Sequence, residues 1–488
     1  MQRNQVNSSL LKDIIILGLI LVVALLFRLY KINTPLSDLH SWRQVDTAAV
    51  ARNFVNDGFN LLEPKYDDLS NIQSGVDNPQ GYRMVEFPLY NAIFGYTYKI
   101  APILPLEVYG RLTSIVFSLL IIAVVYILLL KEVNRFTAII GGLTYSVLPF
   151  FVFFSRVVLP ETTALGLTFL SILGIYFFMN TNKKSKELLL LLLSAIAFAL
   201  GILIKPTVAF FAVAHIYAFF RKYKVSVFRN AYFYLFFISV LIPFFLWRLH
   251  IQNFPEGIPK VDSLITYVNT PEGKQRIFFR PAFFRWVFFE RINNLILGGY
   301  LTVFLVLGIL AKYKKYFLLS ILTGSFIYLF VFQGGNVQHE YYQTLILPAL
   351  AIFIALGINF VRKNYQLFIA PAFSILLIVF VFLFSFLVSY VRVKDYYNYS
   401  EDVLRTAQVL KDLTEKTDKV VTDTTGDTTL LYHAQRRGAP AVYRDLKELK
   451  GIGYKYFLTY NKSVVEEVKK EEDFELVFES ENFVIFRL

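Results

Sequence analysis

Eleven hydrophobic segments of membrane-spanning length follow one another along this chain of 488 residues. Each has close to the ~20 apolar residues that an α-helix needs to cross the ~30 Å hydrocarbon core of a bilayer. The composition agrees, because 56% of the residues are hydrophobic and a soluble domain has no core large enough to bury them. We therefore predict an all-α polytopic membrane protein with spans near residues 14–30, 112–130, 136–154, 162–179, 188–204, 207–220, 231–247, 294–311, 316–332, 343–361 and 366–391.

The distribution of Lys and Arg orients these spans. Fourteen basic residues and only two acids lie in five short loops, 131–135, 183–187, 221–229, 312–315 and 362–363. Because Lys and Arg accumulate in cytoplasmic loops, we predict that these loops and the N-terminus are cytoplasmic. That orientation requires that the apolar segment 87–104 does not cross, and Lys99 interrupts this segment while prolines bracket it. We therefore predict a re-entrant or interfacial helix there, inside a first outer loop 31–111.

The tail differs in kind from the rest of the chain, because it is charged and alternates short helical and β patterns. A transmembrane domain 1–391 is therefore predicted to precede a small extracytoplasmic α/β domain, 392–488. The predicted elements of this domain are a helix at 400–413, a strand at 419–422, a helical stretch at 427–436, a strand at 454–460, a helix at 463–470 and β runs at 474–479 and 482–488.

Charge and cysteine content exclude several classes of function. The net charge of +13 comes from residues scattered over short loops, so nucleic acid is not an expected partner. The chain has no Cys, which excludes disulfides and thiolate metal sites. Its five His residues are scattered and show no zinc-binding spacing. The sequence implies no cofactor and leaves open whether a divalent cation takes part.

The candidate site residues come from the predicted outer loops and the span ends beside them. Ionisable groups at a membrane boundary cost desolvation energy, so such a cluster points to function. A carboxylate can accept a proton from an acceptor hydroxyl while cations hold a phosphate leaving group. A phosphate carried by a membrane lipid would explain the location. The residues are Asp38, His40, Trp42, Arg43, Asp46, Arg83, Glu86, Arg111, Arg156, Glu161, Lys205, Arg280, Arg285, His339, Glu340, Tyr341 and Tyr342.

Several of these residues also have a purely structural explanation. Asp46 follows Arg43 by three residues, so the two would form an ordinary surface pair on a helix. Trp42 suits an interfacial anchor, and Arg28 and Arg248 are expected to extend toward lipid headgroups. Lys205 is harder to explain in this way, because it lies between two apolar runs without a local acid and needs an anion or water.

At these residues the chain resembles the GT-C glycosyltransferases, in particular the dolichyl-phosphate-mannose protein mannosyltransferase and lipid A aminoarabinose transferase type. The resemblance covers about residues 10–360 and depends on the order of loose motifs at span ends. It implies a multi-span bundle, a first outer loop with membrane-parallel helices, an outward cavity, polyprenyl-phosphate sugar donors and a first-loop carboxylate as base. The motifs are Asp46–Phe54, Glu86-Phe87-Pro88-Leu89-Tyr90, Arg111-Leu112-Thr113-Ser114, Ser155–Glu161, Lys205-Pro206 and His339-Glu340-Tyr341-Tyr342.

The chain departs from the family pattern at two places. Counting back from Ala51-Arg52, the family's acidic pair is replaced here by Arg43-Gln44. The resemblance therefore assigns the base to Asp46, with Asp38 as second choice, and matches Glu161 to the family's acid in the second outer turn. Phe87 stands where the family has a Lys, which leaves Arg83 as the nearest cation. Donor phosphate binding is expected from Lys205, Arg83 and Arg111, with help from Arg280 or Arg285.

The expected function is an integral-membrane glycosyltransferase that moves a sugar from a polyprenyl-phosphate donor to an extracytoplasmic protein, lipid or glycan, with inversion. One alternative is a transporter or flippase for a lipid-linked saccharide, which would show paired, inverted hydropathy halves. The sequence shows no such symmetry, and its candidate charges collect on one side. Another alternative is a non-catalytic envelope assembly protein that acts through its C-terminal domain.

Overall fold

The computed structural model describes residues 2–260, 280–312, 316–367 and 370–488. The stretch 248–293, between the predicted spans 231–247 and 294–311, and the predicted loop 312–315 therefore lie partly outside the described residues. The chain forms two compact units. The helical unit comprises residues 1–32, 111–246 and 261–396, and the mixed unit comprises 33–110, 247–260 and 397–488. The mixed unit thus joins the first outer loop to the C-terminal tail in one compact body.

Helices occupy all the segments predicted to span a membrane, as far as these are described. In chain order they are α1 (Gln2–Leu29), α2 (Ser41–Asp57), α3 (Leu89–Ile100), α4 (Leu106–Glu132), α5 (Arg135–Val147), α6 (Pro149–Phe154), α7 (Glu161–Met179), α8 (Lys184–Ile204), α9 (Ala212–Tyr223), α10 (Ala231–Ile251), α11 (Pro281–Phe284), α12 (Thr302–Leu310), α13 (Phe317–Val331), α14 (Gln333–Gln338), α15 (Leu347–Lys363) and α16 (Pro371–Val393). A π-helix, Arg285–Ile296, precedes α12, and a 3₁₀-helix, Glu340–Ile346, leads into α15.

Seven helical stretches in the described part of the chain are long and apolar enough to cross a bilayer. Other predicted spans form shorter helices, so the number eleven is not confirmed. One reason is local, because Pro149 cannot donate a backbone hydrogen bond and divides the predicted span 136–154 into α5 and α6. The seven stretches are Leu10–Leu29, Leu106–Glu132, Glu161–Met179, Lys184–Ile204, Ala231–Ile251, Glu340–Lys363 and Pro371–Leu413.

The exposed surface of the helical unit is apolar. On α1, for example, the side chains of Leu19, Val22 and Leu26 are 62%, 55% and 63% exposed. Helices α10 and α16 carry similar rows of exposed Leu, Ile and Phe. Large contiguous apolar surfaces of this kind need a nonaqueous cover, and lipid hydrocarbon supplies it. The protein is therefore a multi-pass membrane protein.

The tail of the mixed unit contains a small α/β domain, as predicted. Within residues 397–488 a five-stranded sheet has the order β2-β1-β3-β5-β4. Strand β1 is parallel to β2 and β3, and β5 is antiparallel to β3 and β4. The sequence patterns missed β2 and α19, which are short. The elements are α17 (Glu401–Leu413), β1 (Lys419–Thr422), α18 (Thr429–Ala434), β2 (Gly438–Ala439), α19 (Leu446–Gly451), β3 (Tyr454–Thr459), α20 (Lys462–Val468), β4 (Glu475–Glu479) and β5 (Val484–Arg487).

Both faces of this sheet are buried, which explains the continuous apolar runs of its central strands. Val420 packs with Leu410 and Leu430 on one face, while Val421 packs with Leu449 and Val465 on the other. Successive residues of a strand point to opposite faces, so helices cover both sides.

The first outer loop extends the same sheet. The backbone amide of Leu69 donates to the Gly438 carbonyl at 2.7 Å, and the Gly438 amide donates to the Asp67 carbonyl at 2.9 Å. Residues 67–69 therefore lie parallel to β2 as an additional edge segment. A Cβ at position 438 would overlap the Val420 carbonyl, so only Gly fits between the two neighbours. The predicted helix at 87–104 is also present as α3, whose 12 residues give a length of about 18 Å.

Candidate functional site

Asp46 lies in α2 and is buried, with 1% of its surface exposed. Its Oδ2 atom is 3.0 Å from Nη2 of Arg83, and its Oδ1 atom accepts a hydrogen bond from the Thr428 hydroxyl at 2.6 Å. Thr428 precedes α18 in the tail, 382 residues further along the chain. Arg43 forms its ion pair with Glu86, at 2.6 Å. The local explanation of Asp46 as the acid of an exposed surface pair is therefore wrong.

The electrostatic environment of Asp46 opposes its ionisation only in part. Burial raises the pKa of the Asp46 carboxyl, while the Arg83 guanidinium and the Thr428 hydroxyl lower it. The net direction is upward. A buried carboxylate with a raised pKa is a stronger proton acceptor once ionised, which is the property that a general base needs.

A second acid, Asp68, lies near Asp46 and was not among the residues predicted from the sequence. Its Oδ1 atom accepts hydrogen bonds from the Ser70 amide and hydroxyl at 2.8 and 2.6 Å. Burial raises the pKa of Asp68 to about 6, and the charge of Asp46 acts in the same direction. The Arg83 guanidinium lies 4.7 Å from the ring centroid of Tyr66, whose hydroxyl donates to Asp68 at 3.3 Å. In the sequence, Asp67-Asp68 lies in a polar loop and has the composition of an ordinary solvated turn. The sequence therefore gave no indication that Asp68 is buried beside Asp46.

The other predicted residues around α2 have mostly structural contacts. The Gln44 side-chain amide donates to Asp38 at 2.6 Å, so this acid is held by the residue that occupies the second position of the family's acidic pair. His40 immediately precedes α2 with a φ of 57°, in the left-handed region. Trp42 is half-buried in the first turn of the helix.

A second buried pair lies in the helical unit. The Lys205 ammonium is 2.7 Å from Oε1 of Glu161, and both side chains are buried. Glu161 opens α7, where the helix dipole favours a carboxylate, and Lys205 follows the last residue of α8. The two antiparallel helices pack closely at Gly201, where an added Cβ would lie only 3.1 Å from the Ala164 carbonyl oxygen. The acid that the local sequence of Lys205 lacks is thus supplied by the neighbouring helix.

Aromatic side chains surround Lys205 and the start of the 3₁₀-helix Glu340–Ile346. The Lys205 ammonium lies 5.4 Å from the ring centroid of Tyr342. The rings of Tyr341 and Tyr342 are 4.3 Å apart, and His339 stacks on Tyr341 at 5.3 Å. Tyr342 is therefore the residue of the His339-Glu340-Tyr341-Tyr342 motif that lies beside the Lys205–Glu161 pair.

Glu340 belongs to a separate contact set that includes Arg291, a residue the sequence did not single out. The Tyr396 hydroxyl forms a hydrogen bond with Glu340, and Arg291 interacts with the same carboxylate electrostatically. Arg291 also donates to the Val337 carbonyl at 2.7 Å and to the Asn336 carbonyl. The segment before Glu340 is therefore anchored by a half-buried arginine.

Three arginines predicted at span ends are fully buried among backbone carbonyls. Arg111 donates to the Ile32 carbonyl at 2.8 Å and Arg156 to the Tyr30 carbonyl at 2.5 Å, so both hold the chain where it leaves α1. Arg28 donates to the Ser155 hydroxyl and to the carbonyls of Ser146 and Tyr145. The expectation that Arg28 extends to lipid headgroups is wrong. The substrate-binding roles of Arg111 and Arg156 stay predictions.

The two arginines predicted to assist in donor binding lie near the end of the stretch 248–293, shortly before the predicted span 294–311. Arg285 opens the π-helix with a side chain that is 74% exposed and lies 3.8 Å from Glu290. Arg280 is partly buried just before α11. Within the described ranges no three His, Asp or Glu side chains are grouped in a way that could hold a metal ion.

Comparison with known proteins supports the resemblance found in the sequence. Residues 88–247, from the start of α3 into α10, match the family model for dolichyl-phosphate-mannose-protein mannosyltransferase. No curated protein sequence matches the chain.

Solved structures match over nearly the whole length. The ArnT structure from Cupriavidus metallidurans bound to undecaprenyl phosphate aligns with a TM-score of 0.66 and 13% identity, over 96% of this chain and 97% of that one. The oligosaccharyltransferase AglB from Archaeoglobus fulgidus, in complex with an inhibitory peptide and a dolichol-phosphate, gives 0.56 and 11%, over 92% and 69%. The mycobacterial arabinofuranosyltransferase AftD gives 0.61 and 13%, over 96% and 41%. The chain therefore has the GT-C fold, as its sequence motifs indicated.

Proposed function

We propose that this protein is a membrane glycosyltransferase that moves a sugar from a polyprenyl-phosphate donor to an extracytoplasmic acceptor hydroxyl, with inversion. The observation that carries the proposal is the buried Asp46 carboxylate, held by Arg83 and Thr428 in the loop where the GT-C resemblance expects the base. Isolated buried carboxylates are costly, and one that burial makes more basic is suited to proton transfer.

In the proposed step Asp46 takes the proton of the acceptor hydroxyl. The acceptor oxygen forms a bond to the anomeric carbon as the bond from that carbon to the phosphate oxygen breaks. The lipid phosphate leaves with the bonding electrons and needs no general acid, because a phosphate is already a good leaving group at neutral pH. A single displacement of this kind inverts the anomeric centre, whereas a double displacement through a covalent intermediate would retain its configuration.

Arg83 and Thr428 position the base in this proposal. Each carboxylate oxygen has two lone pairs, so one contact on each oxygen of Asp46 leaves room to accept the substrate proton. The Thr428 contact makes the C-terminal domain part of the proposed catalytic centre. A tail that acted only in envelope assembly would have no need of this contact.

Lys205 is the proposed anchor for the donor phosphate, with Glu161 as its orienting partner. The Lys205 ammonium carries its charge 2.7 Å from Glu161, and an ammonium group can hold a carboxylate and a phosphate oxygen at the same time because it has three N–H donors. Hydrogen bonds between charged groups are roughly twice as strong as neutral ones. The bound undecaprenyl phosphate of ArnT and dolichol-phosphate of AglB support a lipid phosphate as the ligand.

The proposal is tested with full-length protein in lipid nanodiscs, labelled polyprenyl-phosphate sugars and a crude membrane or glycan acceptor fraction. Wild-type protein should release lipid phosphate and label the acceptor, and Asp46→Asn should slow both about 10²-fold or more. Asp402→Asn, on the exposed side of α17, serves as the matched control and should behave like wild type. If wild-type protein cleaves no polyprenyl-phosphate sugar, the proposed function is wrong.

The orientation belongs to the same proposal, because the acceptor is extracytoplasmic. The chain has no Cys, so single cysteines can report the side of the membrane directly. In intact cells an impermeant thiol reagent should modify Glu472→Cys in the tail and leave Lys184→Cys unmodified. Modification of position 184 would show that the basic loops face outward.

A further inference from the structure

A cleft of about 720 Å³ lies within the mixed unit. Part of α2 between Arg52 and Asp57 and residues 105–107 line it from the first outer loop, and residues 416–419 and part of the segment 432–437 line it from the tail. Small-molecule sites in proteins commonly have volumes of ~300–1,000 Å³. The cleft is therefore large enough for a ligand of several rings, and nothing in the proposed chemistry at Asp46 occupies it.

The cleft is placed beside the proposed base. Asn53 lines it and follows Asp46 by seven residues on the same helix. Seven residues are close to two helical turns, so both side chains lie on one side of α2, about 10 Å apart along its axis. On the tail side, Thr428 holds Asp46, and α18 then carries Tyr432 and His433 into the cleft wall.

The positive and negative side chains in the wall are nearly equal in number. Arg437 is paired with Asp57 at 2.5 Å, and Arg52 is paired with Asp67 at 2.5 Å while its guanidinium lies 4.6 Å from the ring centroid of Tyr432. The wall contains four Lys or Arg side chains and three Asp or Glu side chains. An anionic ligand would require a clearer excess of cations, and a lipid chain would require a continuous apolar lining.

The remaining side chains suit hydroxyl groups and sugar rings. Amides each offer donors and an acceptor, which matches the dual character of a hydroxyl. Aromatic rings offer flat apolar faces against which the C–H surface of a sugar can pack. These side chains are the amides of Asn56 and Gln435 and the rings of Tyr98 and His433.

We propose that this cleft binds the acceptor and that the acceptor is a neutral, hydroxyl-rich saccharide chain. The inference rests on the proposed function, because it assigns the acceptor class of the same reaction. An extended peptide is disfavoured in this cleft, since peptides commonly bind by adding a strand to a free sheet edge, and residues 67–69 already occupy the β2 edge, which is the sheet edge beside the cleft. The saccharide would lie along α2, with its reactive hydroxyl at Asp46.

Direct binding tests the inference without need for a known donor. Full-length protein in lipid nanodiscs, free of sugar-based detergent, is titrated with glucose oligomers of two to four units and with a neutral Ser/Thr-containing peptide, and saturation-transfer NMR reports binding. The double variant Asn56→Ala/Tyr98→Ala removes one amide and one aromatic ring from the cleft wall. Loss of these two contacts should weaken oligosaccharide binding roughly tenfold. Asn482→Ala, in a separate groove of the tail, is the matched control and should bind like wild type.

The outcomes separate this inference from the proposed function. Binding of the oligomers that the double variant weakens and the control retains supports the saccharide cleft. Absence of oligosaccharide binding, equal binding by the double variant, or binding of the peptide alone overturns it. Because binding needs no turnover, a wild-type protein that binds the oligomers at the cleft but cleaves no polyprenyl-phosphate sugar would refute the proposed reaction and leave the cleft as a saccharide site.

Discussion

The helical unit and the mixed unit each contain a buried pair of opposite charges beside candidate site residues, and the two pairs are assembled differently. Glu161 and Lys205 lie at adjoining ends of neighbouring antiparallel helices, so helix packing alone brings them to 2.7 Å. Asp46 lies on a short helix, and its partners Arg83 and Thr428 come from an irregular loop and from the distant tail. The first pair depends on local topology, whereas the second depends on the assembly of the whole mixed unit.

The difference supports the roles proposed for the two pairs, proton transfer for Asp46 and phosphate binding for Lys205. Buried ion pairs contribute little net stability, because desolvation offsets their attraction, so two such pairs in one membrane protein point to function. The Asp46 pair has a second acid, Asp68, nearby, and the pKa of both acids is raised by burial. Lys205 lies beside Glu161 and the ring of Tyr342. Proton transfer therefore fits Asp46, and phosphate binding fits Lys205.

The largest expected effect is that of Asp46→Asn, which keeps the shape of the side chain and removes its basicity. Sugar transfer should fall by about 10² or more while donor binding changes little. Single-turnover measurements with saturating donor check this. Near-wild-type transfer in Asp46→Asn together with loss in Asp38→Asn would move the base to Asp38. A product that retains the anomeric configuration would refute the single displacement.

The substitution Lys205→Ala removes the cation of the Lys205–Glu161 pair and should weaken binding of the donor. Loss of a charge-assisted contact to phosphate costs about 1.5–3 kcal/mol, or roughly ten- to a hundredfold in donor affinity. Because this change also leaves Glu161 as a buried unpaired acid, the double variant Lys205→Ala/Glu161→Gln is the control for stability. The double variant should restore thermal stability but not donor affinity, as measured with labelled lipid phosphate. Unchanged donor affinity in both variants would make the pair purely structural.

Thr428→Val tests whether the tail takes part in the reaction, since it keeps the side-chain volume and removes the hydroxyl. Turnover should fall about three- to tenfold, the range of one hydrogen bond, and Thr428→Ser should retain activity. The Thr428 hydroxyl lowers the pKa of Asp46, so its removal should raise that pKa. A base acts only when ionised, so the acid limb of the pH–rate profile should move to higher pH. A lower rate with an unshifted profile would mean that Thr428 supports only the fold.

The last prediction concerns the stability of the fold, and not turnover, and it involves Asp68. Its pKa is about 6 in the folded protein, compared with 3.8 when unperturbed. The folded-state pKa is raised, so the contribution of Asp68 to stability is fully present below about pH 4 and is lost as pH rises through about 6. Asp68→Asn should remove this dependence and stabilise the protein at pH 7 by up to about 3 kcal/mol. Thermal unfolding of both proteins at pH 5 and pH 7 checks the sign, and equal pH dependence in the two would contradict it.

Much of the helical unit could be predicted from the sequence. A run of ~20 apolar residues has few alternatives to a membrane helix, because every backbone polar group in hydrocarbon must be paired within the segment. The tail elements near 401–413, 419–422 and 454–459 were also predicted, since their apolar patterns are local. Element boundaries failed where a single proline, such as Pro149, interrupts an apolar run.

The sequence by itself determined the kinds of side chain available at the span ends and the order in which they occur, and this was enough for the GT-C resemblance. Only the tertiary structure decided their partners. It gave Lys205 an acid from the next helix, placed Thr428 on Asp46, brought Asp68 beside that carboxylate and buried Arg28 among carbonyls. The physical reason is that burial and charge pairing depend on which distant segments pack together, and no local pattern records that choice.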